Sequence, residues 1–416
     1  MTTLVDENSC VPRPNVRRSR LDRMTMNLSP AFFSLNMGTG IASILLYNFP
    51  YPAGWLRDIG IGIFALNVVL LVLLMAGNVV RYIRWKGLFK ATLLHPAASM
   101  SWGTFPMGLT TIINMIAYAC VRQWGIHWAR LSVGLWWLDT ILSVFINLGM
   151  LFTMITRQTH TIESMSSAWL LPIVTSVVAA ATGGVVAEAI APMMPREARS
   201  IIIASYAVWG TGVPLALCII TIYLHRIIIH GIPCPQQLPS LFLPLGPCGQ
   251  GSFGIMILGK MVKKLATDHG IGIAISGDIY VLAEAIYAGG IITGLILWGL
   301  AFCWYTLATA IILDHICYKD RAFLNYQSFN ISFTALTFPI GVWATATHTL
   351  ATELDSAFFR VIAAIVAVQV VIHWIYVMLL TIYKAYDGTI FAAQELTEFP
   401  GSIPPRRSSK CTQDEV

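Results

Sequence analysis

Two tetrapeptides, Phe105-Pro106-Met107-Gly108 and Phe338-Pro339-Ile340-Gly341, each set a bulky ring directly before a proline inside a long uncharged run. Proline has no backbone N–H to give a helix and disrupts its interior. At membrane depth such a break is tolerated only where the freed polar groups face protein or a water-filled cavity. Three further runs carry comparable punctuation: Met37-Gly38-Thr39-Gly40, Pro172 with Thr182-Gly183-Gly184, and Gly249-Gln250-Gly251-Ser252-Phe253-Gly254. The chemistry on offer is conduction rather than bond making. The candidate lining of a passage is Gly38, Thr39, Gly40, Thr104, Gly108, Thr182, Gly183, Gly251, Ser252, Thr337 and Gly341. Phe338, with Phe105 and Phe253, would form an apolar constriction that opens by moving aside. Any one of these rings also fits ordinary helix packing; the adjacent proline singles out Phe338.

The sign of the ion follows from what these runs lack. Their central parts hold no Asp or Glu, the nearest being Glu188 at a span end. A cation pathway displays acidic groups at its narrow part, so the passage suits an anion, drawn by helix N-termini and by lysines at the mouth. Asp139, about eight residues into its apolar run, is the one charged residue at depth. It is consistent with a proton relay and equally with a paired or protonated group between helices.

Other motifs carry less. Gly249–Gly254 matches GxGxxG, but a dinucleotide fold needs a preceding strand and a βαβ unit, and here a proline-rich stretch precedes and an apolar run follows. Glycines that let helices approach closely are the better account. His348 and His373 have no partner at metal-ligand spacing, and no metal, cofactor or enzyme activity is expected.

The elements that must position these residues follow from composition. Of 416 residues 56% are hydrophobic and 11% charged, with mean hydropathy +0.70; soluble domains are about 25% charged. The chain is expected to be all-α and integral to a membrane. The net charge of +6 is scattered between apolar spans, which gives nucleic acid no basic patch. Apolar runs long enough to span fall at about 29–48, 59–80, 97–121, 131–155, 169–191, 200–225, 245–266, 281–313, 331–350 and 357–385. The odd-numbered runs carry the breaks, and their glycines recur at 70, 76, 70 and 87 residues (38, 108, 184, 254, 341). Ten transmembrane helices, as five helical hairpins with quasi-five-fold symmetry around a central pore, are the expected architecture.

Orientation follows from the basic residues. An inside N-terminus puts 17 of the 26 lysines and arginines on the cytoplasmic side, so both termini are expected there. Residues 1–28 and 386–416 read as cytoplasmic tails around a 29–385 transport unit, and 81–96 as an amphipathic stretch on the inner surface. Ser408 and Ser409 offer a kinase site in an otherwise idle tail. The eight cysteines show no CxxC pairing and read as small buried residues, with a Cys234–Cys248 link left open.

The stretches 37–52 (MGTGIASILLYNFPYP), 95–116, 169–184, 246–260 (GPCGQGSFGIMILGK) and 337–347 (TFPIGVWATAT) resemble the tellurite-resistance/dicarboxylate transporter family. That family includes plant slow anion channels, fungal malic acid permeases and fungal sulfite efflux pumps, the last being most similar. The likeness runs from about Leu28 to Glu395. It implies five helical hairpins about a pore, kinked inner helices from the odd runs, and a pore-plugging phenylalanine at Phe338. It further implies a trimer, the plasma membrane, and export of sulfite from the cytosol conferring resistance. A malate or other dicarboxylate permease, and an intramembrane enzyme or haem protein, are the alternatives.

Overall fold

The computed structural model describes residues 19–273, 278–319, 329–391 and 393–397, and every regular element among them is helical. Ser408, Ser409, Cys10 and Cys411 lie outside the described residues. A short α1 (Arg20–Met26) precedes α2 (Phe33–Tyr47) and α3 (Gly54–Arg84); α4 (Leu88–Leu94), α5 (Thr104–Met115), α6 (Val121–Trp124) and α7 (Ile126–Arg157) follow. The second half holds α8 (Leu170–Ile190), α9 (Pro195–His230), α10 (Leu245–His269), α11 (Ile279–Asp314), α12 (Phe338–Glu353) and α13 (Ala357–Asp387). Nine helices among the described residues are long and apolar enough to cross a membrane. The ninth apolar run divides into a six-residue 3-10 piece, Ile331–Leu336, and the 16-residue α12.

Burial separates the helices into two kinds. In the most apolar windows of the spans containing α2, α5, α8 and α10, 78–94% of residues are buried; in the other five, 17–39% are. The buried kind packs in sequence, α2 on α5, α5 on α8, α8 on α10, α10 on α12, and α12 back on α2. The long helices α3, α7, α9, α11 and α13 lie outside these and show Leu, Ile, Val and Phe side chains outward, as Phe145, Ile155 and Ile296 do. In lipid such a surface needs no cover, so amphipathicity gives way to helices apolar on both faces.

The glycines do not break the helices. α2 runs unbroken through Gly38 and Gly40, α8 through Gly183 and Gly184, α10 through Gly249–Gly254 and α12 through Gly341. Their role is close approach: a Cβ at Gly249 would meet the Trp343 amide nitrogen at 2.8 Å, and one at Gly290 the Ile255 carbonyl oxygen at 2.9 Å. The prolines lie elsewhere than expected too. Pro106, Pro172, Pro247 and Pro339 occupy the second or third residue of α5, α8, α10 and α12, where the first N–H groups have no intrahelical acceptor and a missing one costs nothing. Each buried helix is preceded by a 3-10 piece: Pro30–Phe32, Ser99–Gly103, Ser167–Trp169, Pro235–Phe242 and Ile331–Leu336. The true discontinuity is the junction between that lead-in and the α-helix.

Past α13, Ile390, Ala393, Glu395 and Leu396 are buried rather than trailing away. Phe391 stacks on Phe32 at 5.4 Å, and the Ala393 amide donates to Asn27 Oδ1 at 3.1 Å. The expected surface stretch at 81–96 begins with a buried residue: the Arg81 side chain is fully enclosed and pairs with Glu395 at 2.5 Å. Cys248 is a free, buried thiol, so no Cys234–Cys248 link forms.

Candidate functional site

The five lead-in junctions converge on a cavity of about 240 Å³. Each supplies at least one hydroxyl to its wall: Ser29 and Ser34, Ser101 and Thr104, Ser166, Ser240, and Ser332 with Thr334. Some of these hydroxyls turn back on the lead-in backbone: Thr104 Oγ1 donates to the Pro30 and Ser101 carbonyls at 3.0 and 2.7 Å, and Ser34 and Thr334 donate to the Ala31 and Ile331 carbonyls. The hydroxyls of Ser29, Ser101, Ser166, Ser240 and Ser332 have no protein partner among the described residues and are free to donate inward. The N-terminal ends of α2, α5, α8, α10 and α12 contribute Ser34, Thr104, Leu170, Gly246 and Phe338 to the same wall, so the positive ends of five helix dipoles lie beside one small space.

Of the residues singled out from the sequence, Phe338 and Thr104 line this cavity. Thr337 is buried beside it, its Oγ1 donating to the Thr334 carbonyl at 2.6 Å. The other two rings are elsewhere. Phe105 packs on Phe33, ring centroids 5.0 Å apart, and Phe253 belongs to a separate apolar cluster with Ile257 and Met261. The remaining hydroxyls face helices, not the cavity. Thr39 Oγ1 accepts from Trp374 Nε1 of α13 at 3.1 Å, and Ser252 Oγ donates to the Gly294 carbonyl of α11 at 2.7 Å. Thr182 is fully buried with no partner for its Oγ1. The glycines likewise face neighbouring helices: Gly38 meets Thr337, Gly40 Thr111, Gly108 Asn36, Gly183 Ser205, Gly251 Val213 and Gly341 Ile41.

Asp139 sits fully buried on α7, away from the cavity, with Ser143 Oγ at 3.5 Å and Oδ1 unpartnered. Among the described residues the cavity wall holds no lysine or arginine, and it is not free of acid: Glu395 is the one charged side chain among them. That residue lies beyond the apolar spans, where a search of the spans for acids does not reach. The lead-in serines were equally missed, although a sequence signal for them exists. Ser or Thr precedes each buried helix within the lead-in, in SPAFF, SMSWGTFP, SSAWLLP, PSLFLPLGP and ISFTALTFP.

The family profile described as voltage-dependent anion channel matches residues 27–382. The chain is 40% identical over 365 residues to sulfite efflux pumps of Trichophyton rubrum and Arthroderma benhamiae, spanning 88% of this chain and 92% of each relative. It is 25% identical over 384 residues to the malic acid transport protein of Schizosaccharomyces pombe, covering 91% and 82%. With the match running through every helix from α2 to most of α13, this chain is a member of the voltage-dependent anion channel family.

Proposed function

We propose that the protein is a sulfite exporter of the plasma membrane, moving sulfite or bisulfite out of the cytosol and conferring sulfite resistance. The observation that carries this reading is the hydroxyl-lined cavity at five convergent helix N-termini, with Phe338 in its wall. Neutral donors and helix dipoles attract a small anion along this wall, and conduction requires an ion to leave as readily as it arrives. Residues 29–385 form the transport unit, ten transmembrane helices in five hairpins of quasi-five-fold symmetry, with cytoplasmic tails at 1–28 and 386–416. Phe338 is the gate. Thr104 and Thr337 flank the path, and the glycines set its width by letting the inner helices approach. The assembly is a trimer, and transport involves no covalent step and no cofactor.

The 40% identity to sulfite efflux pumps favours sulfite over the dicarboxylate that the more distant malic acid transport protein is named for. Reconstitution into vesicles with labelled sulfite and labelled malate decides between them. Sulfite flux well above malate flux is expected; the reverse would make the protein a dicarboxylate permease.

A further inference from the structure

The geometry points to an oxyanion-binding position at the cavity wall that the protein's own C-terminal segment occupies: Glu395 is a tethered competitor of the transported anion. Its Oε1 accepts from Arg81 Nη2 at 2.5 Å and from Thr92 Oγ1 at 3.2 Å. These two donors form the pair of contacts that a sulfite oxygen would take. The carboxylate lines the cavity, and its second oxygen, Oε2, is buried with no partner among the described residues. A purely structural ion pair that is 0% and 1% exposed on its two sides would be expected to satisfy both oxygens, since an unmet buried charge is costly.

Arg81 is held ready for this role by contacts that do not involve Glu395. Its Nε donates to the Met26 carbonyl at 2.9 Å and its Nη1 to Tyr82 Oη at 2.8 Å, and its guanidinium lies over the Tyr82 ring. Nη2 therefore remains for a carboxylate or another oxyanion, a charge-assisted hydrogen bond. The segment carrying Glu395 is held through the Phe391–Phe32 stack, the Ala393–Asn27 hydrogen bond, and Ala393 and Leu396 against Met26 and Leu88. An anion reaching Arg81 displaces the carboxylate, and the segment leaves with it. The pump thus opens its cavity in response to its own cargo, a reading that rests on small-anion transport as proposed above.

The test uses the full-length protein in vesicles. Hydrogen exchange at the amides of 390–397 is followed with sodium sulfite and with sodium gluconate at equal ionic strength. Sulfite is expected to raise exchange there severalfold and gluconate not. Glu395→Gln, whose amide oxygen still accepts from Arg81 but carries no charge, is expected to lower the half-saturating sulfite concentration of transport severalfold. Protection that ignores sulfite overturns the inference, whether or not the wild type transports sulfite, and so does an unchanged half-saturation in Glu395→Gln. Absence of sulfite flux in the wild type overturns the transport reading and not this one, because the exchange measurement on wild-type protein still reports binding.

Discussion

Gly249 of α10 lies against the backbone of Trp343 in α12: a Cβ at 249 would meet the Trp343 amide nitrogen at 2.8 Å and its Cα at 2.9 Å. Neither atom can rotate away. The two helices must separate if residue 249 gains a side chain, and α12 carries Phe338 at its start. The contact therefore couples helix packing to the residue proposed as gate.

Gly249→Ala is expected to destabilise the protein by about 1–3 kcal/mol, the usual cost of overpacking. Gly38→Ala should cost less, because the atom it meets is the Thr337 hydroxyl oxygen at 2.6 Å, on a side chain that can turn. Gly62→Ala, where nothing lies within 4 Å of the new methyl, should be neutral or slightly stabilising, as a helix favours alanine over glycine. Thermal unfolding in detergent gives the ranking.

Phe338→Ala is expected to raise sulfite flux severalfold in vesicles, because it removes the one aromatic ring that the described residues place on the cavity wall. Phe253→Ala, truncating a ring within an apolar cluster, should instead lower stability by about 3–5 kcal/mol and leave the flux of the folded fraction unchanged. Unchanged flux in Phe338→Ala would remove the gate.

Replacing Ser29, Ser101 and Ser332 together with alanine should weaken sulfite binding during transport. Each neutral hydrogen bond contributes about 1 kcal/mol, so a rise on the order of tenfold or more in half-saturation is expected if two or three of them reach the ion. Thr39→Ala is the control. It leaves Trp374 Nε1 without its acceptor and should cost about 1 kcal/mol of stability with selectivity intact. Flux titrations and unfolding curves on the same preparations separate the two effects.

Asp139→Asn is expected to leave sulfite flux unchanged with and without a pH gradient, since the carboxyl is enclosed between helices and touches only Ser143. A gradient-stimulated flux that disappears in this variant would give Asp139 a proton-carrying role.

Much of this was legible in the residues. Long apolar runs can satisfy their backbone in lipid only as helices, so the helical class follows from hydropathy alone, although nine long spans stand among the described residues where ten were expected. The recurrence of glycine in alternate runs marked which helices pack closely, and Pro339 marked where α12 begins. The sequence could not say which way a hydroxyl turns. Thr39 and Ser252 sit in the right helices but donate to or accept from the outer ones, because one residue of helix is about 100° of rotation and the packing angle decides which side faces inward. The glycines lie on the expected elements without breaking them, and the close approach expected for Gly249–Gly254 is realised where Gly249 meets the Trp343 backbone.

What sequence alone determined is a multi-pass helical membrane protein with a tightly packed inner set and apolar outer helices, for chain-local reasons of hydropathy and small-residue spacing. What only the tertiary structure decided is the polar wall of the cavity. Its serines come from five lead-in turns 65 residues or more apart, and its one charge among the described residues comes from beyond the last span. Glu395 reaches that wall because Arg81, 314 residues earlier, is buried where it needs an anionic partner. A pairing of that separation leaves no mark in local composition; only the folding back of the chain past α13 creates it.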